Sequence, residues 1–79
     1  MISDRDLAWA AGFLEGEGSF HCGHSIQLSV SQVQVWPLER LQQIFGGSIR
    51  GRTQRKISDW QLNGYQAAAV MMTLFSLMS

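Results

Sequence analysis

The sequence predicts an α+β fold with the order α-β-β-α-β-β-α, an antiparallel sheet covered by helices on one face and open on the other. Three observations lead there. Ile26, Leu28 and Val30 alternate with Gln27, Ser29 and Ser31, the period of a strand buried on one face. Pro37, Gly46-Gly47 and Asn63-Gly64 cut the remainder into short elements. The strands then fall into two adjacent hairpin pairs, which calls for antiparallel pairing with the helices in one layer.

Each element has its own warrant. Ser3-Asp4-Arg5-Asp6 reads as an N-cap with an acid three residues on, a variant of the capping box. The first helix is expected from Asp4 to Glu15. Ser19 to Cys22 reads as a short strand, Gly23-His24 as a tight turn, and Ile26 opens the alternating strand. Pro37 opens a helix at a position proline favours. Leu38, Leu41 and Phe45 give that helix an apolar face, and Gly46-Gly47 stops it. Ile49 to Thr53 and Lys56 to Leu62 form a hairpin around Gln54-Arg55, ended by Asn63-Gly64. Tyr65 to Met78 is a final helix rich in Ala, Val, Met and Leu.

With 79 residues, one domain covering residues 1–79 is expected. A chain of this size buries roughly 60–65% of its unfolded surface, and one so apolar is a good candidate for an obligate dimer. No apolar run approaches the ~18 residues of a membrane span, so no membrane partner is expected. The charged first turn is unlike a secretory signal. One cysteine, Cys22, excludes an intrachain disulfide and points to a reducing, intracellular compartment. His21-Cys22-Gly23-His24 holds metal-ligand residue types too close together to close a tetrahedral zinc site.

The most informative segment is Ala10-Ala11-Gly12-Phe13-Leu14-Glu15-Gly16-Glu17-Gly18-Ser19-Phe20. Ala8, Gly12 and Gly16 lie four apart and so share one helix face. That face is nearly bare of side chains, which lets a second backbone approach. If the second helix is a symmetry copy, both Glu17 side chains arrive at one place. Paired carboxylates repel unless they bind cations, and such a site suits divalent-metal phosphoryl-transfer chemistry. A helix end with solvated acids is the plainer reading of the same residues, although acids at a C-terminus oppose the helix dipole.

Net charge is zero, but its distribution is uneven. Arg50, Arg52, Arg55 and Lys56, four of the six basic residues, fall within residues 50–56, where there is no acid. A local basic stripe is the electrostatic footprint of a DNA contact surface; a solvated hairpin tip would look similar. Alternation assigns Ser25, Gln27, Ser29, Ser31, Arg50, Arg52, Ile57, Asp59 and Gln61 to the open face. A β-ribbon enters the major groove, where Arg suits guanine, Gln suits adenine and Asp accepts from cytosine. A face merely bathed in water would carry more Lys and Glu.

The segment Ala10 to Gly18 resembles the signature of the LAGLIDADG homing endonucleases, filling its nine positions. Ser19 and Phe20 continue as that family usually does, while Ala10 stands where leucine is common. The resemblance extends over nearly the whole chain, through Val30-Ser31-Gln32, Pro37-Leu38-Glu39-Arg40-Leu41 and Phe45-Gly46-Gly47-Ser48-Ile49. It implies a single-motif homodimer that cuts both strands of a near-palindromic duplex DNA site. Glu17 matches the family's metal-binding catalytic acid, more often aspartate. Gln32 matches a polar residue that helps organise the active-site water. Arg50-Gly51-Arg52 matches strand positions used for base and phosphate contacts. Magnesium or another divalent cation is implied, since hard oxygen ligands suit it, with Glu17 and a carbonyl near Gly16 as its ligands. The same resemblance also implies two alternatives, a catalytically inactive DNA-binding relative and a maturase-type RNA splicing cofactor. The first hairpin is shorter than in many members. Members usually continue past the third helix into a segment with a basic active-site residue, commonly lysine. Here the one lysine is Lys56, and a short or truncated member is the expectation.

Overall fold

The computed structural model describes residues 3–52 and 56–75. Its elements are α1 (Asp4–Glu17), β1 (Ser19–Cys22), β2 (Ile26–Gln32), α2 (Trp36–Phe45), β3 (Ser48–Arg52), β4 (Ile57–Asn63) and α3 (Gly64–Phe75). The order is the expected one. The Gln54-Arg55 turn and the far end of the last helix lie outside the described residues.

α1 starts where its cap dictates. The Ser3 side chain accepts from the Asp6 N–H at 3.1 Å, and Asp4 and Asp6 sit in the first turn, where the helix dipole favours acids. Its end departs from the sequence expectation: the helix runs past Glu15 to Glu17. Gly16 costs about 1 kcal/mol relative to alanine inside a helix but does not break it. Gly18 ends it instead, donating its N–H to the Leu14 carbonyl at 2.9 Å. A β-carbon at Gly18 would lie 2.8 Å from that same oxygen, so the close approach requires glycine.

The strands form one antiparallel sheet in the order β1-β2-β4-β3. Each hairpin contributes one central strand, and the centre is the pair β2 and β4, with Leu28 opposite Leu62 and Val30 opposite Trp60. These four side chains are buried with Ala10, Ala11 and Leu14 of α1, Leu38 and Leu41 of α2, and Ala67, Val70 and Leu74 of α3. All three helices therefore cover the same face. The successive side chains of a strand point to opposite faces, so the polar residues of β2 and β4 are left on the other.

The Gly46-Gly47 stop is needed on two counts. Both residues have positive φ, 81° and 92°, a region that side chains disfavour. A β-carbon at Gly47 would also lie 2.5 Å from the Gln61 carbonyl oxygen. The turn brings the Gly46 carbonyl to the Trp60 indole N–H at 2.9 Å, which gives the buried Trp60 its polar partner.

Smaller boundaries shift. Ser25 belongs to the bend before β2, not to its alternating run. β3 begins at Ser48 rather than Ile49, and Lys56, with φ of 52°, belongs to the turn rather than to β4. Among the described residues no helix is long and apolar enough to cross a membrane.

Candidate active site and nucleic-acid face

Glu17 is the last residue of α1 and Gln32 the last of β2. The fold brings them together: Gln32 Nε2 donates to Glu17 Oε2 at 3.1 Å. The amide gives one carboxylate oxygen a fixed partner, and Glu17 stays exposed. Its other lone pairs point to what lies outside the chain. The Gly16 carbonyl is in the last turn, where helix geometry supplies no intrahelical donor.

Ala8, Gly12 and Gly16 are all exposed. A β-carbon at Gly12 or Gly16 would meet nothing within 4 Å. Packing inside the chain therefore makes no demand for glycine at either position. An adjacent flank of the helix is clamped. Trp9 stacks on Phe13 with centroids 5.2 Å apart and lies 6.5 Å from Trp36. The Arg40 guanidinium sits 4.2 Å from the Trp9 ring centre and pairs with Asp6 at 3.3 Å. Sequence reasoning missed this clamp. The spacing of Trp9 and Phe13, one helical turn apart, was the available signal.

Among the described residues no group of three or more His, Cys, Asp or Glu could hold a metal ion. A magnesium ion needs less from protein: one or two carboxylates, with waters and substrate phosphates completing the shell. Glu17 with the Gly16 carbonyl fits that demand only when a second chain or a nucleic acid adds the rest.

The open face is laid out in cross-strand rows. His21, Gln27 and Asn63 form one; Ser19, Ser29, Gln61 and Ser48 a second; Ser31, Asp59 and Arg50 a third. Arg52 follows at the end of β3, its backbone opposite Ile57. Gln27 Nε2 donates to Asn63 Oδ1 at 3.3 Å, and Ser31 Oγ donates to Asp59 Oδ1 at 2.5 Å. Arg50 is exposed. Two expectations need correction. Ser25 is exposed in the bend and stands outside these rows. Asp59 is on the expected face but only 7% exposed, because it sits on an inner strand between Ser31 and Arg50. Its carboxylate serves the sheet rather than standing ready for a base. Ser19 and His21 join the face through the register with β2, and Ser48 and Asn63 because β3 begins and β4 ends one residue beyond the expected bounds.

The same arrangement occurs in solved structures. The homing endonuclease I-CvuI, in complex with its target in the presence of calcium, superposes with a TM-score of 0.80 at 22% identity, over 98% of this chain and 60% of that one. The chain has the LAGLIDADG homing endonuclease fold. The archaeal intron-encoded homing endonuclease I-Vdi141I, complexed with DNA, shares this LAGLIDADG fold at a TM-score of 0.74 and 18% identity, over 92% of this chain and 55% of that one. A second I-CvuI structure, with the I-CreI target and magnesium and its DNA not cleaved, gives 0.74 at 21% identity, over 98% and 60%. This chain thus spans 55–60% of the length of these LAGLIDADG structures. No protein-family model matches the sequence, and no curated protein does.

Proposed function

We propose that this chain acts as a homodimer that binds duplex DNA along the open face of its sheet and hydrolyses one phosphodiester in each strand. The observation that carries the proposal is the contact between Gln32 and Glu17, at the end of the helix whose bare stripe faces outward. Packing Ala8, Gly12 and Gly16 against their copies delivers two Glu17 carboxylates to the two-fold axis. The likeness to homing endonucleases solved with DNA supports the same reading.

In this reading Glu17 and the Gly16 carbonyl hold magnesium, which when bound supplies Lewis acidity toward the phosphate oxygens. The chain's own residues set the geometry. Gln32 holds the Glu17 carboxylate in one orientation and, with its carbonyl oxygen, can accept from a water beside the scissile phosphate. Arg50, with the backbone-placed Arg52 beyond it, supplies cationic contacts to phosphates or guanine. Two-fold symmetry of the protein requires a near-palindromic site. Cys22, a free and exposed thiol, suits action in a reducing intracellular compartment.

Incubation with a plasmid library carrying randomised inserts, with and without magnesium, tests the proposal. Magnesium-dependent linearisation at one recovered site is the expected result. Duplex binding without cutting would instead make the protein an inactive DNA-binding relative. Binding to structured intron RNA in preference to duplex would make it a splicing cofactor.

A further inference from the structure

Resting on the DNA-binding reading, we infer that Ser31 is a specificity-determining residue locked as a hydrogen-bond acceptor by Asp59. It reads the exocyclic amino group of adenine or cytosine, one of which every base pair presents in the major groove, and so selects the orientation in which a pair stands before it.

A serine hydroxyl carries one hydrogen and two lone pairs, and a carboxylate only accepts. Ser31 Oγ therefore spends its hydrogen on Asp59 Oδ1, at 2.5 Å. A hydrogen bond to a carboxylate is among the stronger ones, and Asp59 is only 7% exposed, so water competes poorly for it. The register holds the two residues opposite each other on the paired strands β2 and β4. Ser31 itself is exposed. What it shows to the outside is lone pairs.

The major groove edges sort cleanly against such a group. Adenine offers its N6 amino group and cytosine its N4 amino group as donors; guanine offers only N7 and O6 acceptors, and thymine O4 and a methyl. Every pair thus carries one such donor, and a pair turned to put guanine or thymine before Ser31 would set acceptor against acceptor. Turning the hydroxyl toward them would take its hydrogen from a nearly buried carboxylate. A serine without Asp59 serves either kind of base, as serine does generally. On the far side of Asp59 the row ends in Arg50, which offers donors only. One row thus reads with opposite polarity at its two ends.

The test is selection of bound duplexes from a randomised library by the wild-type chain, Ser31→Ala and Asp59→Asn, without added divalent cation so that no strand is cut. Circular dichroism and thermal melting accompany each protein. At the pair that Ser31→Ala renders indifferent, replacing its adenine by unsubstituted purine or its cytosine by 2-pyrimidinone, which removes only the amino group, is expected to weaken wild-type binding roughly 5- to 30-fold, the lower part of the range for a base-edge contact. The amide that Asp59→Asn introduces can donate to Ser31 and release its hydrogen, so this variant is expected to accept that pair in the reversed orientation as well. Wild-type binding that is unchanged by loss of that amino group overturns the inference, even where Asp59→Asn fails to fold. So does an unchanged preference in Ser31→Ala, or in a folded Asp59→Asn. Wild-type protein that enriches no duplex overturns the DNA-binding reading itself, and this inference with it.

Discussion

Gln32 and Glu17 close the ends of two elements onto one hydrogen bond, Nε2 to Oε2 at 3.1 Å. An acid at a helix C-terminus is unfavourable to the dipole, and the amide is the chain's own compensation for it. Glu17→Gln is expected to abolish cleavage while leaving the fold and most DNA binding intact, because the strands carry the binding. Gln32→Ala leaves the carboxylate charged but unheld, and is expected to lower activity or metal affinity about 10- to 100-fold. Cleavage assays with magnesium, beside calorimetric metal titration of each variant, check both. Unchanged metal binding in Glu17→Gln would remove the proposed site.

Assembly has its own test at Gly12. A β-carbon there meets nothing within the chain, and glycine is a poor helix former by about 1 kcal/mol. Gly12→Leu should therefore leave the isolated chain as helical as before. If α1 packs on its copy, the same change costs the dimer about 1–3 kcal/mol or more from overpacking. Sedimentation equilibrium is expected to show a dimer for wild type and a weaker one for the variant. A wild-type monomer at micromolar concentration would end the two-fold model.

Arg50 is exposed at the end of the row that runs through Asp59 and Ser31. Despite zero net charge, DNA binding is expected to weaken with salt, with a log–log slope of about −0.9 per phosphate neutralised. Arg50→Ala should reduce that slope by about 1 if the side chain meets a phosphate. It should instead relax preference at one guanine if it reads a base. Titrations at several salt concentrations separate the two, and an unchanged affinity and slope would mean that Arg50 is not in the contact surface.

The two glycine sites differ in what they demand. Gly47 has φ of 92° and no room for a β-carbon beside the Gln61 carbonyl; Gly51 has open space. Gly47→Ala is expected to cost at least about 2 kcal/mol from strain and overlap together. Gly51→Ala should be neutral or stabilising by up to about 1 kcal/mol through the unfolded state. Urea unfolding midpoints measure the difference.

The elements were legible because their ends carry chemistry that acts locally. Ser3, Pro37 and Gly46-Gly47 each satisfy or deny a particular backbone group, whatever the rest of the chain does. Glu17 was legible as an acid that needed a reason. Gln32 was assigned to the same site by the resemblance alone, since no periodicity links residues on a helix end and a strand end, and their direct hydrogen bond was not foreseen. The end of α1 was misjudged because Gly16 looks like a stop until Gly18 is seen to close the turn. Alternation put Asp59 on the correct face but says nothing of depth. Depth depends on which strands flank β4, and the strand order is a long-range property. Arg40 counted only as one of six positive charges, and the structure commits it to Trp9 and Asp6.

The central pairing of β2 with β4 has a consequence for the order in which parts of the molecule take shape. Glu17 and Gln32 are 15 residues apart, joined along the chain through α1, β1 and β2. Ser31 meets Asp59 across 28 residues, and Gln27 meets Asn63 across 36. Long-range pairings carry the larger loop-closure entropy and form slowly. The surface that would read a sequence is therefore topologically later than the acid that would cut it.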